Sequence, residues 1–395
     1  MIKLEEIMDS PFCYGCGACV SKCPSDAISM RTDEKGFSRP WIHESKCTGC
    51  NLCYQVCPAV ETNRNALFAA GPGQAGVVWS VRNRDNDIRR NSSSGGLFTA
   101  LSDYVLAQGG VVCGAVWRDG LSVGHICASN ADDRDRMRQS KYVQSDMGSC
   151  FRDILACLKA GKTVLFTGTP CQTGGLRLFL GDSDTRNLIL CDVLCGGNVS
   201  PGLFKDYISY IEKIKKDRAV SVCFRTKKYG WKEHHIRVEL KDKTYEGARR
   251  ENEPFFTLYL GKYSIRDSCF SCGFASKERI SDITMGDFWG IDKAEPEIDD
   301  DIGISLAIVN TEKGAGLMER IGTQVYAEQR NMDMAVPRQI NLRSAPVPPK
   351  NRGMFWDEYA RNGGACVLRK YTTFGLAKKI RFKCAKALRS IGLRR

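Results

Sequence analysis

Two cysteine runs near the N-terminus constrain the fold of this chain more than any other feature. Each run has the spacing C-x2-C-x2-C-x3-C and is followed directly by a proline. The runs contain eight cysteines: Cys13, Cys16, Cys19 and Cys23, then Cys47, Cys50, Cys53 and Cys57. Three thiolates on one tight loop can bind one face of a metal cluster, and soft thiolates suit iron–sulfur clusters. The segment around them has few long periodic stretches, and we expect residues 1–66 to form a domain of their own.

The spacing also indicates the kind of cluster. It is the spacing of bacterial two-cluster ferredoxins, in which the fourth cysteine of each run binds the cluster of the other run. We therefore predict two [4Fe–4S] clusters in a ferredoxin-like domain at residues 1–66. One cluster would be bound by Cys13, Cys16, Cys19 and Cys57, and the other by Cys47, Cys50, Cys53 and Cys23. A pair of zinc sites is the alternative, but it leaves two identical runs with trailing prolines unexplained.

The remaining composition favours a cytoplasmic metalloprotein. The chain has 395 residues, twenty cysteines and only four histidines. Its N-terminus has no apolar run, and no stretch reaches the roughly 18 apolar residues of a transmembrane helix. In a reducing cytoplasm, cysteines bind metals more often than they form disulfides. We expect the cysteines without a partner pattern to be packing residues: Cys113, Cys127, Cys150, Cys157, Cys191, Cys223, Cys366 and Cys384.

Beyond the cysteine runs, the chain has the pattern of an α/β protein. The apolar stretches VVCGAVW, TVLFTG and NLILCDVL alternate with helix-like segments. This alternation predicts a mixed α/β fold with a largely parallel sheet. The glycine-rich residues 67–76 are interpreted as a linker. Residues 346–395 are interpreted as a basic tail, because the stretch from Cys366 onward has ten Lys or Arg and no acidic residue. The formal net charge of the whole chain is +13, so the residues before Cys366 have a net charge of only +3.

A second cysteine set follows from this topology. Cys171 and Cys195 each come just after a predicted strand, and a helix-length segment separates the two strands. A strand–helix–strand crossover makes the strands parallel, so both cysteines should lie at the same edge of the sheet. The downstream pair Cys269 and Cys272 would complete four thiolates, and we hypothesise a third iron–sulfur cluster there. A structural zinc ion, a redox-active dithiol and unrelated buried thiols are the alternatives.

With these residues in hand, the chain resembles the coenzyme F420 hydrogenase/dehydrogenase beta-subunit family. The resemblance rests on the cysteine runs and on SSSGGLFTAL, SKYVQS, VLFTGTPCQTGGL, LCGGNVSPGLF and CFSCGFASKERISDITMGDFWGID. It implies an N-terminal-type region of that subunit at residues 77–185 and a C-terminal-type region at residues 186–345. Members are iron–sulfur flavoproteins, typically with FAD, and archaeal members reduce or oxidise the deazaflavin coenzyme. The family usually has Cys-His-Gly where this chain has Cys195-Gly196-Gly197.

The resemblance and a helix start together suggest where FAD would bind. Serines and glycines at the N-terminus of a helix beginning near Gly96 could bind a phosphate, although a plain helix cap explains them too. SKYVQS is similar to a second family contact segment, and a surface loop is the alternative there. The candidate cofactor-binding residues are Ser94, Gly95, Gly96, Thr99, Lys141, Tyr142, Ser145, Thr169 and Gln172. We assign no role to His234 and His235, and the segment Asp287–Trp289 has the pattern of a turn with core aromatics.

These features predict an oxidoreductase dependent on FAD and [4Fe–4S] clusters. It would couple one-electron transfer through the clusters to two-electron (hydride) chemistry at the flavin, on a deazaflavin coenzyme or another reducible substrate. The alternatives are an electron-transfer subunit of a larger oxidoreductase complex and a cluster-based redox-sensing or scaffold protein. No catalytic residue is assigned.

The expected partners are a ferredoxin or other one-electron carrier and a small-molecule or coenzyme substrate, and a partner subunit is left open. No basic-aromatic module for nucleic acid is present. The tail has apolar residues near helical spacing among basic ones, which fits either peripheral contact with the inner membrane surface or a solvated basic helix.

Overall fold

A computed structural model of the protein describes residues 11–71, 76–249 and 252–374. Its strands are β1 Ile28–Thr32, β2 Ser38–Ile42, β3 Val77–Asn83, β4 Val111–Arg118, β5 Ser122–Ala128, β6 Val164–Gly168, β7 Leu188–Val193, β8 Ala219–Cys223, β9 Arg237–Leu240, β10 Thr244–Glu246, β11 Ile283–Asp287, β12 Ser305–Val309 and β13 Val325–Arg330. Its helices are α1 Ala18–Lys22, α2 Leu52–Gln55, α3 Glu61–Ala69, α4 Asn86–Arg90, α5 Leu97–Ala107, α6 Ala131–Asp135, α7 Cys150–Lys159, α8 Pro170–Leu180, α9 Pro201–Lys215, α10 Pro254–Leu260, α11 Ile291–Ala294, α12 Glu312–Arg320, α13 Met332–Ala335, α14 Arg352–Asn362 and α15 Gly364–Tyr371.

Eight strands form the central sheet, in the order β13-β3-β12-β11-β7-β6-β4-β5. The four inner strands β11, β7, β6 and β4 are parallel, whereas the pairs that involve β3, β5, β12 and β13 are antiparallel. Five strands run in one direction: β3, β4, β6, β7 and β11. The fold class predicted from the sequence is therefore confirmed, with a largely parallel centre and antiparallel edges.

The helix α8 shows how the local sequence sets up this topology. Thr169 and Gln172 form a capping box at its start, and Pro170 occupies the first turn, where a missing N–H costs nothing. The helix returns the chain from β6 to β7, and the two strands pair in parallel. Because α8 starts two residues after β6 ends, its first turn lies at the carboxyl edge of the sheet.

One predicted region boundary does not separate structural units. The boundary at 185/186 falls between β6 and β7, which are hydrogen-bonded neighbours in the same sheet. Strand β3 likewise pairs with β12 and β13 from the end of the second region. Residues 77–345 therefore share one sheet, which also carries a small three-stranded sheet, β10-β9-β8, as an insertion after α9.

The cysteine-rich N-terminal unit packs against the α/β unit through two arginines, the buried Arg266 and the exposed Arg152. It contains the antiparallel hairpin β1–β2 and the short helices α1 and α2. The Arg266 guanidinium donates to the carbonyl oxygens of Cys13 and Ser38, at 3.2 and 2.6 Å. The Arg152 guanidinium donates to the carbonyl oxygen of Ser21 at 2.9 Å. These contacts fix the first cysteine run next to the carboxyl edge of the sheet.

The segment from residue 346, predicted to be a basic tail, is folded up to residue 371. Helices α14 and α15 pack into the same apolar cluster as α9 and α10. Five side chains from the two helices are buried: Phe355, Trp356, Val367, Leu368 and Tyr371. The tail interpretation was wrong for this stretch because its basic charge hid an apolar face. The amphipathic pattern predicted around Leu376–Ile391 lies outside the described residues.

Two cysteines expected to be unconnected packing residues are bonded to each other. Cys113 on β4 and Cys127 on β5 lie directly opposite each other in register and form a disulfide. The Cys150 sulfur lies 3.8 Å from the Cys127 sulfur. The expectation failed because pairing across the hairpin, not sequence spacing, brings the two sulfurs together.

Within residues 11–71, 76–249 and 252–374, the structure contains no helix that is both long enough and apolar enough to cross a membrane.

Candidate iron–sulfur and cofactor site

The first predicted cysteine set is brought together by the fold. A small cavity of about 20 Å³ is lined by four cysteines, Cys13, Cys16, Cys19 and Cys57. Cys57 thus joins the first run, as the crossed spacing predicts. The Gly15 amide donates to the Cys13 sulfur at 3.4 Å, and burial raises the pKa of Cys16 to about 12. Burial thus favours the neutral form of the Cys16 thiol, and a metal cation beside it would favour the thiolate.

The second predicted set lies nearer the surface. Cys23 is buried and packs with Cys53, while Cys47 and Cys50 are exposed. The Ala27 amide donates to the Cys23 sulfur at 3.3 Å. Amide bonds to sulfur are among the groups that tune iron–sulfur reduction potentials. The second set would therefore sit at the solvent end of the N-terminal unit.

Four cysteines from three distant segments line another cavity, of about 40 Å³: Cys171, Cys195, Cys269 and Cys272. Cys171 lies in the first turn of α8, and Cys195 lies two residues after β7. Cys269 and Cys272 belong to a 3₁₀ turn that spans Asp267–Ser271 and to the residue after it. The crossover topology thus places the first two at one edge of the sheet, as predicted, and the third segment completes the set.

The local surroundings of these four sulfurs are apolar, with a few donors. The Gly197 amide donates to the Cys195 sulfur at 3.4 Å, and the Thr169 hydroxyl lies 3.2 Å from the Cys171 sulfur. Burial, and then the neighbouring thiols, raise the pKa of Cys195 well above its ordinary value. Burial also raises the pKa of Cys269 to about 11.

Helix α8 links the first cysteine set to the four-cysteine cavity. Gly175, one turn after Cys171, lies so close to the Cys16 sulfur that an added Cβ would be only 2.9 Å away. Tyr14, next to Cys13, lines the four-cysteine cavity, and its hydroxyl accepts from the Gly273 amide at 3.3 Å. The two cysteine sets are therefore near neighbours across one packed interface.

A much larger cavity, of about 980 Å³, lies on the other side of Cys195, which lines both cavities. Its floor is the carboxyl edge of the parallel strands, with contributions from Gly168 at the end of β6, Val193 at the end of β7 and Met285 on β11. Open α/β sheets bind ligands at this edge.

Most of the predicted cofactor residues line the large cavity, but two do not. Those that line it are Ser94, Gly96, Lys141, Tyr142, Ser145, Thr169 and Gln172. Gly95 and Thr99 lie behind its wall. The Gly95 amide donates to the Ser305 hydroxyl at 2.9 Å, and Thr99 is fully buried in the core.

Several of these side chains are already engaged within the protein. The Lys141 ammonium donates to the carbonyl oxygens of Arg136, Arg138 and Gln139, at 2.9, 2.8 and 3.4 Å. An ammonium has three N–H donors, so all the donors of Lys141 are used in hydrogen bonds that stabilise its own loop. The Ser94 hydroxyl donates to the Ile304 carbonyl oxygen at 2.7 Å rather than capping α5, whose N-cap is Gly96.

The opposite wall of the large cavity contains aromatic residues that sequence reasoning missed. Trp289 and His234 line the cavity and stack on each other, with ring centroids 5.7 Å apart. Trp231 stacks behind Trp289 at 5.1 Å. Below them, Arg225 pairs with Asp287 at 2.8 Å, and both are largely buried. The stretch GDFWG was visible in the sequence, but its partner His234 lies in the connection between β8 and β9 and has no local signal.

The C-terminal segment closes one end of both cavities. Asn341 and Pro346 line the four-cysteine cavity and the large cavity alike. The Gln339 side chain donates to the Asp287 carbonyl oxygen, which attaches this segment to the end of β11.

Comparisons with known proteins agree with this architecture. Residues 161–335 match the family model for the C terminus of the beta subunit of coenzyme F420 hydrogenase/dehydrogenase. Residues 12–60 match the 4Fe-4S dicluster domain.

Three curated proteins illustrate the relationship. The chain is similar to a subunit of the F(420)H(2) dehydrogenase of Methanosarcina mazei, with 21% identity over 49% of this chain and 56% of that protein. It is similar to coenzyme F420-dependent sulfite reductase of Methanocaldococcus jannaschii, with 29% identity over 44% of this chain and 26% of that protein. An uncharacterised protein of the same organism is 22% identical over 87% of this chain and 96% of its own length.

The chain thus spans about half of the first of these relatives and a quarter of the second. The two family matches lie on the regions that hold the two cysteine runs and the four-cysteine cavity. The chain thus carries the C-terminal region of the coenzyme F420 hydrogenase/dehydrogenase beta-subunit family at residues 161–335 and a 4Fe-4S dicluster domain at residues 12–60.

Proposed function

We propose that this protein is an FAD-dependent iron–sulfur oxidoreductase with three [4Fe–4S] sites. The observation that carries the proposal is that Cys195 lines both the four-cysteine cavity and the large cavity. A one-electron site and a pocket of cofactor size would therefore share a wall. A flavin bound there would supply the exchange between single electrons and electron pairs.

The spacing of the sulfurs supports clusters over single zinc ions. Four thiolates on one zinc ion would lie about 3.8 Å apart, since Zn–S bonds are about 2.3 Å long in a tetrahedron. Among the described residues, only one group of three His, Cys, Asp or Glu ligand atoms lies with all its members within 4.8 Å of one another. It consists of the sulfurs of Cys113, Cys127 and Cys150. The three candidate cluster sets are spaced more widely, as a larger metal group requires.

The order of the three sets supports a path for single electrons. Cys47 and Cys50 are exposed, Cys16 is buried beside α8, and Cys195 borders the large cavity. An external one-electron carrier such as a ferredoxin would approach the exposed end. Residues that pack tightly between the sets, Tyr14 and Gly175, would keep them close and exclude water.

The large cavity supports the flavin and a second ligand. Its volume of about 980 Å³ lies at the upper end of the about 300–1,000 Å³ typical of cofactor pockets. Gly96 and Ser94 on one wall would face the cofactor's phosphates, and the Trp289 ring on the other wall would contact a planar ring. Two relatives are named for coenzyme F420, and a deazaflavin coenzyme is accordingly the first substrate to test.

A role as one subunit of a larger oxidoreductase is the second candidate. One relative is named as a subunit of a dehydrogenase, and the exposed Cys47 and Cys50 offer a contact point for a partner. Copurification of a partner, together with no turnover by the isolated chain, would favour this role.

Filling the large cavity should abolish flavin binding and leave the clusters intact. Ala115, half-buried on β4, lines the cavity. The Ala115→Trp protein, purified anaerobically and reconstituted with FAD, is expected to hold at least tenfold less flavin than wild type, with unchanged iron. The matched control is Val220→Trp, at an exposed position on β8. Equal flavin content in Ala115→Trp and wild type, or a wild type that binds none, would refute the flavin site.

A further inference from the structure

Lys262 lies where the two cavities meet. Its side chain lines the large cavity, and its ammonium donates to the carbonyl oxygen of Gly196, the residue after Cys195, at 3.0 Å. The same ammonium lies 5.1 Å from the centroid of the Tyr259 ring. The Tyr259 hydroxyl packs against Gly196, where an added Cβ would lie only 2.6 Å from it. The absence of a side chain at residue 196 therefore makes room for this arrangement.

The backbone of Lys262 is held in a conformation that a lysine rarely adopts. Lys262 has a φ of 62°, in the left-handed region, just after the end of α10. The amides of Lys262 and Tyr263 donate to the carbonyl oxygens of Tyr259 and Leu258, which closes the helix end. Glycine is the usual residue at this position because it has no Cβ. A strained residue that is retained beside a cavity suggests a role for its side chain.

The charge of Lys262 faces sulfur rather than a carboxylate. Burial lowers the pKa of Lys262, whereas the nearby Cys195 and Cys269 sulfurs favour its charged form. Within the described residues it has no carboxylate partner within 4.0 Å. Of the two arginines that line the four-cysteine cavity, Arg279 pairs with Asp192 at 2.7 Å, whereas Arg266 donates to neutral oxygens of Cys13, Ser38 and Gln144 and keeps its charge. Lys262 therefore adds a second uncompensated positive charge, and it is the one that also lines the large cavity.

We infer that Lys262 is a positioning residue that raises the reduction potential of the group held by Cys171, Cys195, Cys269 and Cys272. Reduction adds negative charge at the four-cysteine cavity, and a fixed cation beside Cys195 stabilises that charge more strongly than water would. The inference rests on the proposed function, because it requires a redox-active cluster at these cysteines. Lys262 would thereby bring the reduction potential of that cluster closer to that of the ligand in the large cavity.

The test is a redox titration of the anaerobically purified full-length protein, followed by electron paramagnetic resonance. Lys262→Met removes the charge at similar length and should make reduction of one cluster about tenfold less favourable, a shift of about 59 mV to lower potential for a one-electron couple. Lys262→Arg keeps the charge, so its reduction potential should stay close to that of wild type. Lys262→Gly relieves the left-handed strain, so it should fold at least as well as wild type and still show the lowered potential.

A matched control is available on the surface. Lys216 also has a left-handed backbone conformation at a helix end, with a φ of 53° after α9, but its side chain is exposed. Lys216→Met should leave every potential unchanged. Wild-type iron and flavin content with unaltered potentials in both Lys262→Met and Lys262→Gly would overturn the inference and leave the proposed function standing. A wild-type protein with only about eight iron atoms and no flavin would overturn both.

Discussion

The Cys272→Ser protein is expected to hold about eight iron atoms per chain, against about twelve in wild type. Serine oxygen is a harder ligand than thiolate and binds an iron–sulfur cluster poorly. Cys272 lines the four-cysteine cavity with Cys171, Cys195 and Cys269, whereas the ferredoxin-type cysteines lie in a separate unit. The loss should therefore stop at one cluster. Iron and acid-labile sulfide assays on anaerobically reconstituted protein measure it.

The control for this experiment is Cys157→Ser. Cys157 is half-buried on α7 and lines neither of the cysteine-bounded cavities. Its iron content should equal that of wild type. If Cys272→Ser and wild type both hold about eight atoms, the four cysteines do not hold a cluster. A zinc content of one per wild-type chain would instead support the structural zinc ion.

Replacing Asp192 with asparagine should destabilise the protein by about 3–5 kcal/mol, because one charge of a buried ion pair would be left unpaired. The Asp192 carboxylate on β7 accepts from the Arg279 guanidinium at 2.7 Å, and both side chains are almost fully buried. Arg279 also donates to the Phe274 carbonyl oxygen at 3.0 Å, two residues after Cys272. Urea unfolding followed by far-UV circular dichroism gives the change in unfolding free energy.

Two further variants test whether the loss of stability comes from the unpaired buried charge or from the removal of any carboxylate. Asp184→Asn removes a carboxylate from an exposed pair with Arg186 and should leave the urea midpoint unchanged. The double variant Asp192→Leu/Arg279→Met replaces both charges with apolar groups and should recover a large part of the lost stability. An Asp192→Asn midpoint equal to that of wild type would show that the ion pair contributes nothing to stability.

Much of the site follows from two local rules of sequence. The crossed ferredoxin spacing predicted that Cys57 would join Cys13, and the fold brings them together. The rule that parallel strands end at the same edge predicted that Cys171 and Cys195 would meet. Both rules are reliable because each depends on covalent spacing or on chain handedness, not on side-chain packing.

The remaining parts of the site depend on contacts that no local pattern encodes. His234 meets Trp289 because the connection between β8 and β9 reaches the large cavity, far along the chain from GDFWG. The left-handed conformation of Lys262 is set by the end of α10 and not by its own residue type. Burial of Phe355 and Trp356 depends on the apolar surface of α9 and α10. Such long-range packing is decided only when the whole chain has folded.

The proposed cluster site in the four-cysteine cavity would impose an order on maturation of the protein. The two ferredoxin-type sets are complete once residues 13–57 have left the ribosome, whereas the third set needs β6, β7 and the Cys269–Cys272 turn to be in place. Closing these long loops delays the third site until the sheet has formed. If the proposed third cluster is present, its delivery would have to wait for a nearly finished fold, whereas the N-terminal unit could receive its clusters earlier.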